Sequence, residues 1–221
     1  VARGTVTVDG RVETRPAAPV GDDAVITVAD PANAWVSRAA LKLTGALDAF
    51  GLSPEGRVCL DVGASTGGFT QVLLARGGTH VTAIDVGHGQ LAPLLADDPR
   101  VTSIEGLNAR DLGPAHLATP PEMVVADVSF ISLALALPPA LDLAAPGALG
   151  VFLVKPQFEV GRDLVGKGGV VRDAAAALAA VDRIALLLAD HGWRELGRGE
   201  AAIAGADGNR EFVIAAEKSG R

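Results

Sequence analysis

Four charged residues stand where apolar runs stop. They are Asp61 in Val58-Cys59-Leu60-Asp61-Val62, Asp85 after Val81-Thr82-Ala83-Ile84, Asp127 closing the run over 122–127, and Lys155 after Val151-Phe152-Leu153-Val154. In open α/β sheets ligands collect outside the carboxyl ends of the strands, so charges at several strand ends describe a binding or proton-transfer site. Asp85 is placed to take the hydroxyls of a ribose, with Asp127 toward the far end of the same nucleoside. Lys155 lies between four apolar residues and Pro156. Partial burial there lowers a lysine's pKa and makes a neutral amine available as a general base. The same placement also suits an ion-pair partner holding the sheet edge, and each carboxylate taken singly also fits a turn or a helix cap. Glu211, just beyond a second turn region, opens the last strand pattern.

The glycines after Asp61 narrow the ligand. Asp61-Val62-Gly63-Ala64-Ser65-Thr66-Gly67-Gly68-Phe69-Thr70 reads as a buried strand delivering a tight turn to a helix N-terminus. The spacing is not G-x-G-x-x-G, and no Lys-Ser/Thr follows Gly68, so neither a dinucleotide fingerprint nor a P-loop fits. A nucleoside without phosphates, such as S-adenosylmethionine, is the better match.

The elements that must position these residues alternate. Strand patterns fall at 57–62, 80–85, 101–104, 122–127 and 148–155, and helix patterns at 69–76, 89–96, 132–144 and 173–190. That order predicts a doubly wound parallel sheet. Two further strand patterns, 194–203 and 210–216, flank Gly205-Ala206-Asp207-Gly208-Asn209 and predict a closing antiparallel hairpin. Upstream, alternation over 4–28 around Asp9-Gly10 predicts a small β-ribbon, Asp30-Pro31-Ala32-Asn33 a linker, and Ser37 the N-cap of a helix running to Phe50 and stopped by Gly51.

Composition sets the bounds. A chain of 221 residues suits one medium domain with a small appendage. The longest apolar candidate, Leu133 to Leu149, is broken by Pro138, Pro139, Asp142 and Pro146, and falls short of the ~20 residues a membrane helix needs. No cationic leader precedes an apolar stretch, and the single cysteine, Cys59, lies inside a strand pattern as buried filler, so a cytoplasmic protein is expected. The formal charge of −7 argues against a general nucleic-acid binder. The cations are grouped nonetheless: Arg3, Arg11 and Arg15 near the N-terminus, Arg38 and Lys42 one helical turn apart, and Arg162, Lys167 and Arg172 in a glycine-rich loop. For Arg38 and Lys42 a solvated helix face is the ordinary reading. The histidines, His80, His88, His116 and His191, are too scattered to form a metal site.

Taken together, Ser37-Arg38-(three residues)-Lys42-Leu43 and the glycine turn resemble the FtsJ-like ribose 2′-O-methyltransferases. The phrases Asp85-Val86-Gly87-(one residue)-Gly89-Gln90-Leu91, Asp127-Val128-Ser129-Phe130-Ile131-Ser132-Leu133, Lys155-Pro156-Gln157-Phe158-Glu159 and Gly168-Gly169-Val170-Val171-Arg172-Asp173 are similar to those of TlyA-type rRNA methyltransferases, historically also called hemolysins. The resemblance runs from about residue 4 to residue 216. It implies a Rossmann-like, S-adenosylmethionine-dependent fold with a seven-stranded, mostly parallel sheet and an antiparallel C-terminal hairpin. It also implies 2′-O-methylation of ribosomal RNA in ribosomal subunits, at a cytidine in 16S and/or 23S rRNA.

The family's Lys-Asp-Lys-Glu tetrad falls on Lys42, Asp127, Lys155 and Glu211. Lys155 would act as general base, Asp127 and Glu211 would orient amine and hydroxyl, and Lys42 would hold the substrate ribose or its phosphate. By the same resemblance Gly63, Ser65, Gly67 and Phe69 shape the cofactor pocket and Asp85 binds its ribose. Asp127 lies at the methionine end, and Asn108 stands where relatives carry an adenine-contacting acid. Arg38, Arg162 and Lys167 are the implied RNA contacts, and no metal is required. The implied organisation is 1–29 as part of an S4-like RNA-binding module, of which only the final β-ribbon is recognisable, 30–36 as a linker, and 37–221 as the methyltransferase domain. Ala39-Ala40 departs from the paired glycines common in relatives. A membrane-active hemolysin and a small-molecule methyltransferase are the competing readings.

Overall fold

A computed structural model describes Val1, residues 4–205 and residues 208–220. Arg3, Arg221 and the Ala206-Asp207 portion of the expected hairpin turn lie outside the described residues. The chain begins with β1 (Val6–Val8), β2 (Arg11–Glu13) and β3 (Ile26–Val28), an antiparallel sheet in the order β2-β1-β3. Asp9 and Gly10 join β1 to β2 with φ of 51° and 76°, the left-handed pair that a two-residue hairpin requires. The ribbon reading missed β2, because Arg11-Val12-Glu13 is too short and too charged to stand out as a strand.

The rest winds through α1 (Ala39–Phe50), β4 (Val58–Val62), α2 (Gly68–Ala75), β5 (His80–Asp85), α3 (Pro93–Ala96) and β6 (Val101–Glu105). It continues through β7 (Met123–Ala126), α4 (Leu133–Ala136), α5 (Pro138–Leu143), β8 (Leu149–Val154) and α6 (Pro156–Glu159). It closes with α7 (Ala174–Asp190), β9 (Trp193–Glu200) and β10 (Phe212–Lys218). The large sheet has the order β6-β5-β4-β7-β8-β10-β9, parallel except for the β10 pairings with β8 and β9. The expected seven-stranded, doubly wound architecture with an antiparallel hairpin is therefore the one observed.

Both sheet faces are buried, as parallel strands require, and the alternation along each strand assigns its side chains. Leu60, Val62, Val124, Ala126, Phe152, Val154 and Ile214 pack with α4, α5 and α7. On the other face Cys59, Val81, Met123, Val125, Val151, Leu153 and Val213 pack with α1 and α2. Each fully buried large aliphatic or aromatic side chain contributes about 1.5–3 kcal/mol, and together they make the sheet a rigid platform for whatever its strand ends carry. Cys59 is 1% exposed, and burial pushes its thiol up to about 12, which leaves it as filler.

Two helix expectations were too long. The helix expected over 89–96 survives only as Pro93–Ala96, because Glu105 accepts the Gly89 and Gln90 N–H groups at 2.7 and 3.3 Å and fixes that stretch as a loop. The one expected over 132–144 breaks into α4 and α5 where Pro138 and Pro139 follow Leu137. Among the described residues, no helix is long and apolar enough to cross a membrane.

Candidate active site

The turn after β4 needs glycine at two positions. At Gly63, φ is 82°, and a Cβ would lie 2.9 Å from the Asp127 carbonyl oxygen. At Gly67, φ is 94°, and a Cβ would run into Leu95 Cδ1. The chain thereby crosses over the end of β7 and enters α2 under Leu95. Asp85, at the end of β5, ties two loops together: its Oδ2 accepts the Ser65 N–H at 2.8 Å and its Oδ1 the Gly87 N–H at 2.8 Å. These turns wall a cavity of about 700 Å³, lined by Gly63, Ser65, Asp85, Gln90, Asn108, Asp127, Ser129 and Phe130, among others. Cofactor sites span about 300–1,000 Å³. Asn108 lies in the wall with its Oδ1 accepting the Arg110 backbone N–H at 3.1 Å.

Beneath the turn lies Asp61, 0% exposed. Its Oδ2 accepts the Thr70 hydroxyl at 2.7 Å, while Oδ1 is buried with no hydrogen-bond partner. Burial is the main force raising this carboxyl, to about 7; the Thr70 hydrogen bond opposes it, and the charges of Asp127 and Asp85 add to it. Asp61 is thus a strand-interior group, and Val62 rather than Asp61 completes β4.

Three adjacent strands, β7, β8 and β10, bring chemistry to the same edge. Asp127 follows β7, Lys155 follows β8, and Glu211 immediately precedes β10, whose Phe212 is paired with Val154. Lys42 reaches this edge from α1. The four side chains form two close ion pairs: Lys155 Nζ to Asp127 Oδ1 at 2.6 Å, and Lys42 Nζ to Glu211 Oε2 at 2.6 Å. Lys42, Lys155 and Glu211 are only 8%, 9% and 5% exposed. The solvated-face reading of Lys42 therefore fails. Arg38 precedes the helix and is exposed, whereas Lys42 is drawn inward by Glu211. Ser37 does cap α1, since its hydroxyl accepts the Ala39 N–H at 3.1 Å.

Not every expected cofactor residue reaches the cavity. Phe69 is 3% exposed and packs in the core with Val72 and Leu73, and Gly67 serves as the N-cap of α2; neither lines the cavity. Arg162 and Lys167 are exposed on the loop between α6 and α7. Three residues escaped prediction as site residues. Gln90 lines the cavity, with its amide nitrogen in the space that a Gly87 Cβ would need. Ser129 accepts a hydrogen bond from Lys155 Nζ at 2.8 Å. Phe130 is 93% exposed with φ 65°, an unfavourable backbone for an aromatic residue, and its ring lies 5.4 Å from that of Phe158. A signal was present for Phe130, an aromatic just past a strand end in a turn with no apolar periodicity to bury it.

A doubly wound sheet closed by an antiparallel hairpin, with a glycine turn and carboxylates beside a nucleoside-sized cavity, defines a Rossmann-like methyltransferase. The FtsJ-like methyltransferase family model matches residues 35–218. The 16S/23S rRNA (cytidine-2′-O)-methyltransferase TlyA of Mycobacterium tuberculosis is 48% identical over 215 residues, covering 97% of this chain and 80% of that protein. Hemolysin A of Brachyspira hyodysenteriae is 40% identical, covering 96% of this chain and 89% of that protein. A solved Streptococcus thermophilus structure carrying the hemolysin name superposes with a TM-score of 0.84 at 37% identity, over 99% of this chain and 80% of that one. This chain belongs to the FtsJ-like methyltransferases, in the group that holds TlyA and its hemolysin-named relatives.

Proposed function

We propose that this protein methylates the ribose 2′-hydroxyl of a cytidine in ribosomal RNA, in 16S and/or 23S rRNA of ribosomal subunits, using S-adenosylmethionine. The observation that carries the reading is Lys155: a 9% exposed amine held 2.6 Å from a carboxylate that itself lines the nucleoside-sized cavity. The residues fit the cofactor. Gly63 leaves the room a side chain would fill, Asp85 stands at the end of β5 for a ribose diol, and Asn108 offers an amide to a base. When bound, S-adenosylmethionine supplies an electrophilic sulfonium methyl group.

The chain's own residues then do the rest. A ribose hydroxyl is a weak nucleophile at neutral pH, so a base within hydrogen-bond reach must take its proton as the new C–O bond forms. Lys155 is that base, and Asp127 stabilises the ammonium that develops, in a site where water cannot screen the pair. Lys42 and Glu211 form the opposite wall, with the Lys42 charge available to the substrate ribose or its phosphate. Arg38, Arg162 and Lys167 face solvent, where phosphates can reach them. Phe130 offers an exposed ring on which a displaced base can stack. Residues 1–29 are read as part of an S4-like RNA-binding module, joined by 30–36 to the catalytic domain at 37–221; the separate three-stranded sheet supports this division. The cytoplasm, where ribosomal subunits are made, is the expected compartment.

The test is tritiated methyl transfer to undermethylated small and large ribosomal subunits, with digestion to nucleosides. Label in 2′-O-methylcytidine from the wild type, and none from Lys155→Ala at unchanged cofactor affinity, is expected. Label on a base atom, or full activity of Lys155→Ala, would refute the ribose or general-base assignment respectively.

A further inference from the structure

We propose that Ser129 is a positioning residue for this reaction: its hydroxyl, together with Asp127, aims the lone pair of Lys155 at the substrate hydroxyl. The inference rests on the general-base reading above. A lysine ammonium carries three N–H donors, whereas the neutral amine carries two and a lone pair. The protein supplies Lys155 Nζ with two acceptors, Asp127 Oδ1 at 2.6 Å and Ser129 Oγ at 2.8 Å. Among the described residues there is no third. Two acceptors match the two N–H groups of the neutral amine, and the remaining tetrahedral direction is left for the proton that Lys155 must receive. With one acceptor alone, the amine would rotate about its Cε–Nζ bond and the lone pair would point at the substrate only part of the time.

The local backbone explains why a serine two residues beyond Asp127 can reach the same nitrogen. β7 ends at Ala126, and the chain turns sharply through Phe130, at φ 65°. That turn is pinned to the Lys155 segment at two further points. The Phe130 ring lies against Phe158, and Glu159 accepts the Ser132 hydroxyl at 2.6 Å and the Leu133 N–H at 2.7 Å. The segments 127–133 and 155–159 are therefore fastened along their length, and Ser129 has a fixed position from which to hold the amine. Ser129 is exposed and lines the cavity, so no packing requirement explains a hydroxyl there.

The experiment compares Ser129→Ala, Ser129→Thr, Lys155→Ala and the Ser129→Ala/Lys155→Ala double variant. It measures methyl transfer to undermethylated ribosomal subunits together with cofactor affinity and thermal midpoint. Ser129→Ala is expected to lower kcat roughly 10- to 100-fold, the size of an orientation effect. KM for subunits and cofactor affinity should stay within about twofold, because neither binding site loses a contact. Ser129→Thr keeps the hydroxyl and should recover most of the rate. The double variant should be no slower than Lys155→Ala, since a residue acting through Lys155 has nothing to orient once the amine is gone. Wild-type kcat in Ser129→Ala, or a further fall in the double variant, would overturn the proposal. So would a loss of cofactor affinity or thermal midpoint that accounts for the slower rate. An active Lys155→Ala enzyme would instead overturn the general-base reading on which it rests, so the two failures are distinguishable.

Discussion

Asp61 is the residue whose ionisation the fold most resists, and replacing it with asparagine gives a measurable consequence. Its carboxyl rises from an ordinary 3.8 to about 7, chiefly through burial. In the unfolded chain it loses its proton near the ordinary value; in the folded chain it keeps the proton until about pH 7. Between these two values the native state binds more protons than the unfolded state, so stability falls as pH rises through the window and levels off above it. At 1.36 kcal/mol per pKa unit, the full cost above pH 7 is about 4 kcal/mol. An asparagine in its place would accept the Thr70 hydroxyl through its own oxygen and carries no charge to bury. The stability gain of Asp61→Asn over wild type should therefore be small near pH 4 and grow to about 4 kcal/mol by pH 8. Urea unfolding of both proteins at pH 5, 6, 7 and 8 without cofactor measures the difference, and every other titrating group cancels between them. A difference that stays constant over this range would refute the argument, because it would mean that the Asp61 carboxyl titrates alike in both states.

Other substitutions separate structure from chemistry at the same edge. Glu211→Ala leaves the Lys42 ammonium buried and unpaired, and should cost about 3–5 kcal/mol in urea unfolding. A Lys42→Met/Glu211→Leu protein should regain most of that stability while remaining unable to methylate RNA. Gly67→Ala forces a Cβ into Leu95 Cδ1 at φ 94°, and should lower the stability by about 1–3 kcal/mol, read as a fall in the urea midpoint. Phe130→Ala removes a ring that is 93% exposed, so its unfolding midpoint should hold; methyl transfer should weaken by about 1–3 kcal/mol in kcat/KM if a base stacks there.

The strand ends were legible because parallel strands write themselves as apolar runs, and the residue that ends such a run is forced to the sheet edge. Asp85, Asp127 and Lys155 were found this way, and β5 was matched residue for residue over His80–Asp85. The same logic could not foresee that Glu211 pairs with Lys42. That contact depends on β10 inserting antiparallel between β8 and β9 and on α1 packing across the sheet, two long-range facts that no local pattern encodes. Ser129 was equally hidden, since a serine after a strand reads as an ordinary turn residue until the lysine beside it is located. Phe69 failed for the opposite reason: proximity to the glycine turn suggested a ligand contact, but its place on the first turn of α2 points it into the core. Local sequence reports which residues leave the sheet; tertiary packing decides which of them meet.

That meeting place follows from the topology. The strand order reverses direction between β4 and β7, the point at which the connections diverge and a crevice opens at the carboxyl ends. β4 and β5 deliver the glycine turn and Asp85 to one side of this crevice, while β8 and β10 deliver Lys155 and Glu211 to the other. β7 runs between them, and Asp127 at its end belongs to both: it lines the cavity, and it holds the Lys155 amine at 2.6 Å. A methyl donor bound in the cavity and a hydroxyl held at Lys155 can approach each other only across Asp127. The carbonyl of the same residue lies where a side chain at Gly63 would stand, 2.9 Å from its Cβ position, so the cofactor turn is fitted directly against the residue that steadies the base. Enlarging Gly63 should therefore disturb proton transfer as well as cofactor binding, an effect on kcat that a change confined to the cofactor pocket would not produce. Saturating cofactor would restore the rate of Gly63→Ala if the two sides were independent; a persistent fall in kcat at saturation is the outcome this coupling requires.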